Sequence, residues 1–171
     1  MALNLNNLAL LLNDMGDYAG ARPLFERALA INEQALGPMH PSVALSLSNL
    51  ALLLHNTGDY ARAQPLLERA LRIREQALGP MHPDVATSLN NLAELHRTTG
   101  QYAKAEPLYQ RALAINEQAL GPTHPSVALN LNNLALLYQT MGDYAKTAPL
   151  YQRALRIREQ ALGPTQGLTL G

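Results

Sequence analysis

The residues in this chain best suited to chemistry are its histidines and its asparagines. His40, His82 and His124 recur at intervals of 42 residues, each followed by proline. Imidazole nitrogens serve as metal ligands and general bases. A metal site, however, needs three or four converging ligands. None of these three histidines has a second histidine or a cysteine beside it, and stacked units would hold them too far apart to share one ion. They read as loop or helix-cap residues. His55 and His96 each stand alone on a helical segment and read as groove or surface residues, not catalytic bases. Gly37-Pro38 and its copies are helix stops, and no lysine follows where a phosphate loop needs one. No strand is expected, so no serine can occupy a strand–turn–helix elbow. Paired carboxylates facing one cleft are absent. We therefore expect no catalytic residue, no metal site, no cofactor and no enzyme.

The elements that carry these residues follow from repetition. G-D-Y-A stands at Gly16–Ala19, Gly58–Ala61 and Gly142–Ala145, with G-Q-Y-A at Gly100–Ala103. A-L-G-P begins at Ala35, Ala77, Ala119 and Ala161, again in steps of 42. Such a chain is a stack in which each unit needs its neighbours to bury its apolar face. In the second unit, His40-Pro41-Ser42 opens a first helix, with Pro41 tolerated at the first position and Ser42 able to accept from free amides. That helix A runs to about Thr57, with Leu45, Leu47, Leu50, Ala51 and Leu54 as its buried face. Gly58 stops it, and Asp59 caps the next helix, as do Asp17 and Asp143; Gln101 is a weaker substitute. Helix B runs from Tyr60 to about Leu78, its inward face Tyr60, Ala63, Leu67, Ala70, Leu71, Ala77 and Leu78. Gly79-Pro80 ends it. Pro65 and its copies Pro23, Pro107 and Pro149 sit near the start of each helix B, where a slight kink is tolerated.

Thirteen Lys and Arg balance thirteen Asp and Glu, which gives no bulk attraction for nucleic acid or anionic lipid. No apolar run is long enough to cross a bilayer, and the start of the chain lacks the marks of a signal peptide. With no cysteine, the composition suits a reducing compartment, and we expect a cytoplasmic location. Helix A segments carry only Asp14, Asp84, Glu94 and Arg97 as charged residues. Arg69, Arg72 and Arg74, echoed by Arg153, Arg156 and Arg158, read as a solvated outer face, with Glu68 and Arg72 able to pair along the helix. Units one and three have Asn32 and Asn116 where units two and four have Arg74 and Arg158, which suggests duplication of an 84-residue block.

Leu47-x-x-Leu50-Ala51, then Gly58-Asp59-Tyr60, then Ala63-x-x-x-Leu67-x-x-Ala70-Leu71 resembles the tetratricopeptide repeat. Its usual unit is about 34 residues. The longer unit here is similar to the kinesin-light-chain type, as in His82–Ala93 and Tyr102–Leu113. The resemblance implies an all-α fold, a right-handed α-solenoid of four helix-turn-helix repeats and eight helices. Repeat 1 would span 1–41, repeat 2 42–83, repeat 3 84–125 and repeat 4 126–164, with an irregular tail over 165–171. It also implies a concave groove, lined by the A helices, that holds an extended peptide. Aligning the motif places Asn7, Asn49, Asn91 and Asn133 on the groove side, with Asn6, Ser48, Asn90 and Asn132 beside them. An amide both donates and accepts, so this row can hold a peptide backbone. One and two turns on come Leu10, Leu52, Glu94 and Leu136, then Asn13, His55, Arg97 and Gln139. The expected partner is a protein or peptide, with no nucleic acid and no membrane.

Neither end shows a polar capping helix, and the last helix B leaves Tyr151, Leu155 and Leu162 without cover. The alternative reading is thus a structural array that associates end to end.

Overall fold

The computed structural model describes residues 1–162, so the expected tail at 165–171 lies outside them. These residues form eight helices and no strand: α1 Ala2–Asp14, α2 Tyr18–Leu36, α3 Pro41–Asn56, α4 Tyr60–Leu78, α5 Pro83–Thr98, α6 Tyr102–Leu120, α7 Pro125–Thr140 and α8 Tyr144–Leu162. Consecutive helices pack as antiparallel pairs, α1 on α2, α3 on α4, α5 on α6 and α7 on α8. Each second helix then packs on the first helix of the following pair. Backbone contacts also join α1 to α3, α3 to α5 and α5 to α7, but no such contacts join α2 to α4, α4 to α6 or α6 to α8. The odd helices therefore crowd together, and the solenoid curves toward their side.

The helix boundaries have local causes. Gly58 takes φ +79°, a left-handed conformation that ends α3 at no steric cost. Asp17, Asp59 and Asp143 accept from the amides of Gly20, Arg62 and Lys146 and so cap α2, α4 and α8. Gln101 makes no such cap; its side chain bonds Thr99 and Lys104 instead. Helices α3, α5 and α7 are capped by the histidines, one of the two roles expected of them, and not by the residue expected at Ser42. The imidazole of His40, not the hydroxyl of Ser42, takes the cap, with its Nδ1 accepting from the Ser42 amide at 3.1 Å. His82 and His124 repeat that bond to the amides of Asp84 and Ser126 at the same distance. Three histidines in register are thus explained by helix capping.

Small residues set the close approach of paired helices. Ala51, Ala63 and Ala70, with their copies one unit away, are fully buried. In the fourth pair Thr147 takes the place of Ala63; it stays buried by returning its hydroxyl to the Asp143 carbonyl at 2.8 Å. Val43, Leu47 and Ile73 form an apolar cluster that recurs as Val85, Leu89 and Ile115 and again as Val127, Leu131 and Ile157. Full burial of each such side chain contributes roughly 1.5–3 kcal/mol. Two expected core positions are corrected. Leu45 is 45 % exposed because it lies on the outer edge of α3, and Ala77 is exposed near the end of α4. Ile73 and Arg74 are buried in α4 instead.

Candidate functional site

The asparagine row on the odd helices divides into two sets. Asn49 and Asn91 are half-buried and line one pocket between α3 and α5. Ser48, Ala51, Leu52, His55, Asn56, Leu67 and Glu94 complete its wall, around a volume of about 270 Å³. Its lining combines apolar side chains with amides, an imidazole and a carboxylate. Ser48, Asn49, Leu52, His55, Asn91 and Glu94 were all expected on the groove side, and here they meet. Ala51 and Leu67 were expected in the core and not at the groove, and Asn56 was not singled out. Asn56 lies one helical turn beyond Leu52, so its place on the same face was available from periodicity.

The neighbouring set serves the packing. Asn6 is 4 % exposed and donates to Ser46 Oγ at 3.3 Å, which joins α1 to α3. Asn90 accepts from the Asn130 amide at 3.2 Å and joins α5 to α7. Ser48 returns its hydroxyl to the Ala44 carbonyl within its own helix. Asn13 is buried and accepts from Asn56 Nδ2 at 3.2 Å. Asn7 is exposed on α1, while Asn132 and Asn133 are half-buried on α7. Leu136 is exposed on that helix, and Gln139 accepts from the Tyr151 hydroxyl at 3.1 Å.

Glu94 is the most heavily bonded residue at the pocket. Arg97 grips both of its carboxylate oxygens, and the hydroxyl of buried Tyr109 donates to one of them at 2.8 Å. Burial pushes the Glu94 carboxyl up, but the hydrogen bonds from Arg97 and Tyr109 and the Arg97 charge outweigh it and hold the carboxyl below its ordinary range. The same contacts push the Arg97 guanidinium up, and burial beside the carboxylate pushes the Tyr109 phenol up. The charges of Glu94 and Arg97 cancel within the pair. His55 stands across the pocket, edge-on to Tyr60 with ring centres 5.3 Å apart and Nε2 at 3.2 Å from Thr98 Oγ1. Nothing here forms a catalytic constellation, and no group of three possible metal ligands occurs among the described residues. No helix among them is long and apolar enough to cross a membrane.

Two polar features between units were not legible. A polar node recurs at each joint, buried at the second and third and half-buried at the first. Asn32 donates to Ser46 Oγ at 2.9 Å, Arg74 to Ser88 Oγ at 2.6 Å and Asn116 to Asn130 Oδ1 at 2.6 Å. Arg74 is only 6 % exposed, and desolvation lowers its pKa. This corrects the reading of Arg74 as part of a solvated cluster. Along the even helices runs a ladder of ion pairs: Glu33 with Arg69 at 2.7 Å, Glu75 with Arg111 at 2.7 Å and Glu117 with Arg153 at 2.6 Å. Arg69 and Arg153 thus link units, and Glu68 accepts from Gln64 at 2.8 Å. His96, expected at a groove or surface, is buried in α5 with Nδ1 unpartnered.

These features agree with comparisons to known proteins. The solved structure of BtubC (BKLC) from P. vanneervenii superposes with a TM-score of 0.83 at 26 % identity, covering 97 % of this chain and 66 % of that one. The chain thus spans just under two thirds of that relative's length. The nearly identical TPR-like repeats of a Podosopora anserina protein of kinesin-light-chain type superpose with a TM-score of 0.79 at 28 % identity, covering 94 % of this chain and 76 % of that one. Comparison with curated protein sequences gives no match. The profile of the tetratricopeptide repeat matches three overlapping stretches, 1–76, 42–118 and 84–160, and the chain belongs to that family.

Proposed function

We propose that this chain is a protein-interaction scaffold that holds an extended peptide along its odd helices, with Asn49 and Asn91 as the central contacts. Tetratricopeptide repeats are in general protein-interaction scaffolds. The observation that carries the finer reading is the α3–α5 pocket, which brings apolar side chains together with amides one repeat apart. Neighbouring helix axes lie about 8–10 Å apart, and an extended strand covers that distance in about three residues. Successive amides therefore meet backbone groups roughly three residues apart on the guest, and the apolar lining of Ala51, Leu52 and Leu67 takes one apolar side chain between them. Asn7, Asn132 and Asn133, with Leu136 and Gln139, extend the same track onto α1 and α7. Asn6, Asn13, Ser48 and Asn90 hold the wall in shape.

The test is selection from a random linear-peptide library, followed by titration of the best binder against the wild type and Asn49→Ala with Asn91→Ala. Two lost hydrogen bonds at about 0.5–1.5 kcal/mol each weaken binding roughly 5- to 150-fold. Unchanged affinity in the double variant removes the amides from the proposal.

A further inference from the structure

We infer that this chain associates head to tail with further copies of itself, through the outer face of α7 and α8 on one copy and that of α1 and α2 on the next. The inference is independent of the peptide groove. It rests on a joint that the structure already contains three times. Each joint combines an apolar contact, a polar node and a Glu–Arg pair, and the first and last helix pairs present its two halves.

The apolar halves are unsatisfied at both ends of the described array. On the first pair, Leu8 and Leu11 are 48 % and 56 % exposed, while the matching Leu50 and Leu53 inside the array are 7 % and 1 % exposed. On the last pair, Tyr151 is 36 % exposed where its counterpart Tyr109 is 1 % exposed, and Leu155 is 57 % exposed. These places keep the residues that fit a neighbouring unit.

The polar halves agree in register. Glu159 stands one repeat beyond Glu117, and Arg27 one repeat before Arg69. Both are exposed. Placing a second copy as the next unit brings Glu159 to Arg27 of that copy as a fourth rung of the ladder. Arg158 then takes the role of Arg74, and Asn4 of the incoming copy stands where Ser88 does. The alternation of Asn32, Arg74, Asn116 and Arg158 continues without a break, because the incoming copy begins again with Asn32. This joint therefore carries the arginine of the one between the second and third pairs, with the amide of Asn4 as acceptor in place of the Ser88 hydroxyl. Two different faces meet, so the contact is heterologous and grows into an open linear assembly.

The experiment uses the 171-residue chain and two single variants, with helicity checked by circular dichroism. Leu11→Glu blocks the leading face and Leu155→Glu the trailing face; both sites are solvent-exposed in the single copy, so the fold tolerates them. Light scattering over a concentration series should show the wild-type mass rising above the 18.6 kDa of one chain, and each variant alone should remain monomeric. Their equimolar mixture should form a one-to-one dimer and stop there, since one intact leading face and one intact trailing face remain. A wild type that stays monomeric, single variants that associate as the wild type does, or folded variants that fail to dimerise when mixed each overturn the inference. Register is read separately. The described chain has no cysteine, so Arg27→Cys with Glu159→Cys should be joined between copies by a short bismaleimide, giving a ladder of oligomers. Association without that crosslink overturns the proposed register.

Discussion

Replacing Tyr109 with phenylalanine removes one hydroxyl from the Glu94 cluster and leaves the packing in place. Phe25 occupies the matching position in the first pair and is fully buried, so the ring fits. What disappears is the 2.8 Å bond from the phenol to Glu94 Oε2. Hydrogen bonds to charged groups contribute about 1.5–3 kcal/mol. Glu94 is half-buried and keeps both bonds from Arg97, so the loss should fall at the lower end, roughly 1–2 kcal/mol. For a chain of this size that lowers the melting temperature by about 2–8 °C. The pH dependence follows from the Glu94 carboxyl, held below its ordinary range chiefly against burial. A carboxyl lowered on folding adds stability above its unfolded value, and that stability is lost as pH falls through the folded value. Tyr109→Phe removes one of the lowering contacts, so the gap between variant and wild type should narrow in acid. Urea titrations from neutral pH down through the carboxylate range measure this. A variant as stable as the wild type at neutral pH, or a gap that widens in acid, refutes the assignment. A double-mutant cycle with Glu94→Leu isolates the coupling between the two side chains.

His96 is buried with Nδ1 unpartnered, and burial, then Lys104, push its pKa down against a weaker opposing effect of Glu68. The folded chain therefore prefers neutral His96, and stability should fall as pH drops below the ordinary histidine value of about 6.5. His96→Leu, which matches Leu54 in the second unit, should flatten that part of the profile; an unchanged acid loss in urea titrations points to another group. Arg74→Ala strands Ser88 Oγ, 1 % exposed, without its donor and should cost about 2–4 kcal/mol by urea denaturation, with Arg74→Asn less damaging. An Arg74→Ala chain of wild-type stability means the guanidinium is solvated. His82→Ala removes the α5 cap and should cost about 0.5–2 kcal/mol at neutral pH in thermal denaturation, with His82→Asn recovering most of it.

The eight helices could be read in advance because their punctuation repeats. Gly58, Asp59 and Gly79-Pro80 act through local backbone preferences, which sequence carries directly. The ladder and the nodes join residues whose separations match no helical period. Arg69 meets Glu33 only because two long side chains span the gap between consecutive even helices, and Arg74 reaches Ser88 across a loop. A lone arginine on a charged helix reads as solvated, and burial appears only once α5 is packed against it. Similarly, adjacent asparagines on one helix point about 100° apart, so sequence could place Asn90 and Asn91 only as a band; Asn90 reaches Asn130 while Asn91 faces the pocket. The row of amides was legible as a face, and its division into pocket-lining and packing amides was not.

Repetition also limits what a groove can recognise. A guest held only by equivalent amides could slide by one unit at no cost in free energy, because each rung offers the same contacts. Register has to come from the rungs that differ. Leu10, Leu52 and Leu136 share one position with Glu94, and Asn13, His55 and Gln139 share another with Arg97. All four units differ at the second position, but the third departs furthest: it alone has a carboxylate at the first and a guanidinium at the second, in a pair whose charges cancel. Its contribution is directional hydrogen bonding at the edge of the α3–α5 pocket, not long-range attraction, so screening leaves it largely intact. A guest peptide should thus keep its register from low to high salt, read by a spin label on the peptide against labels on α1 and α7. Glu94→Leu makes this position uniform in all four units and should give a mixture of registers. A single register retained in that variant, or a register that shifts with salt in the wild type, would show that something other than the Glu94 pair sets it.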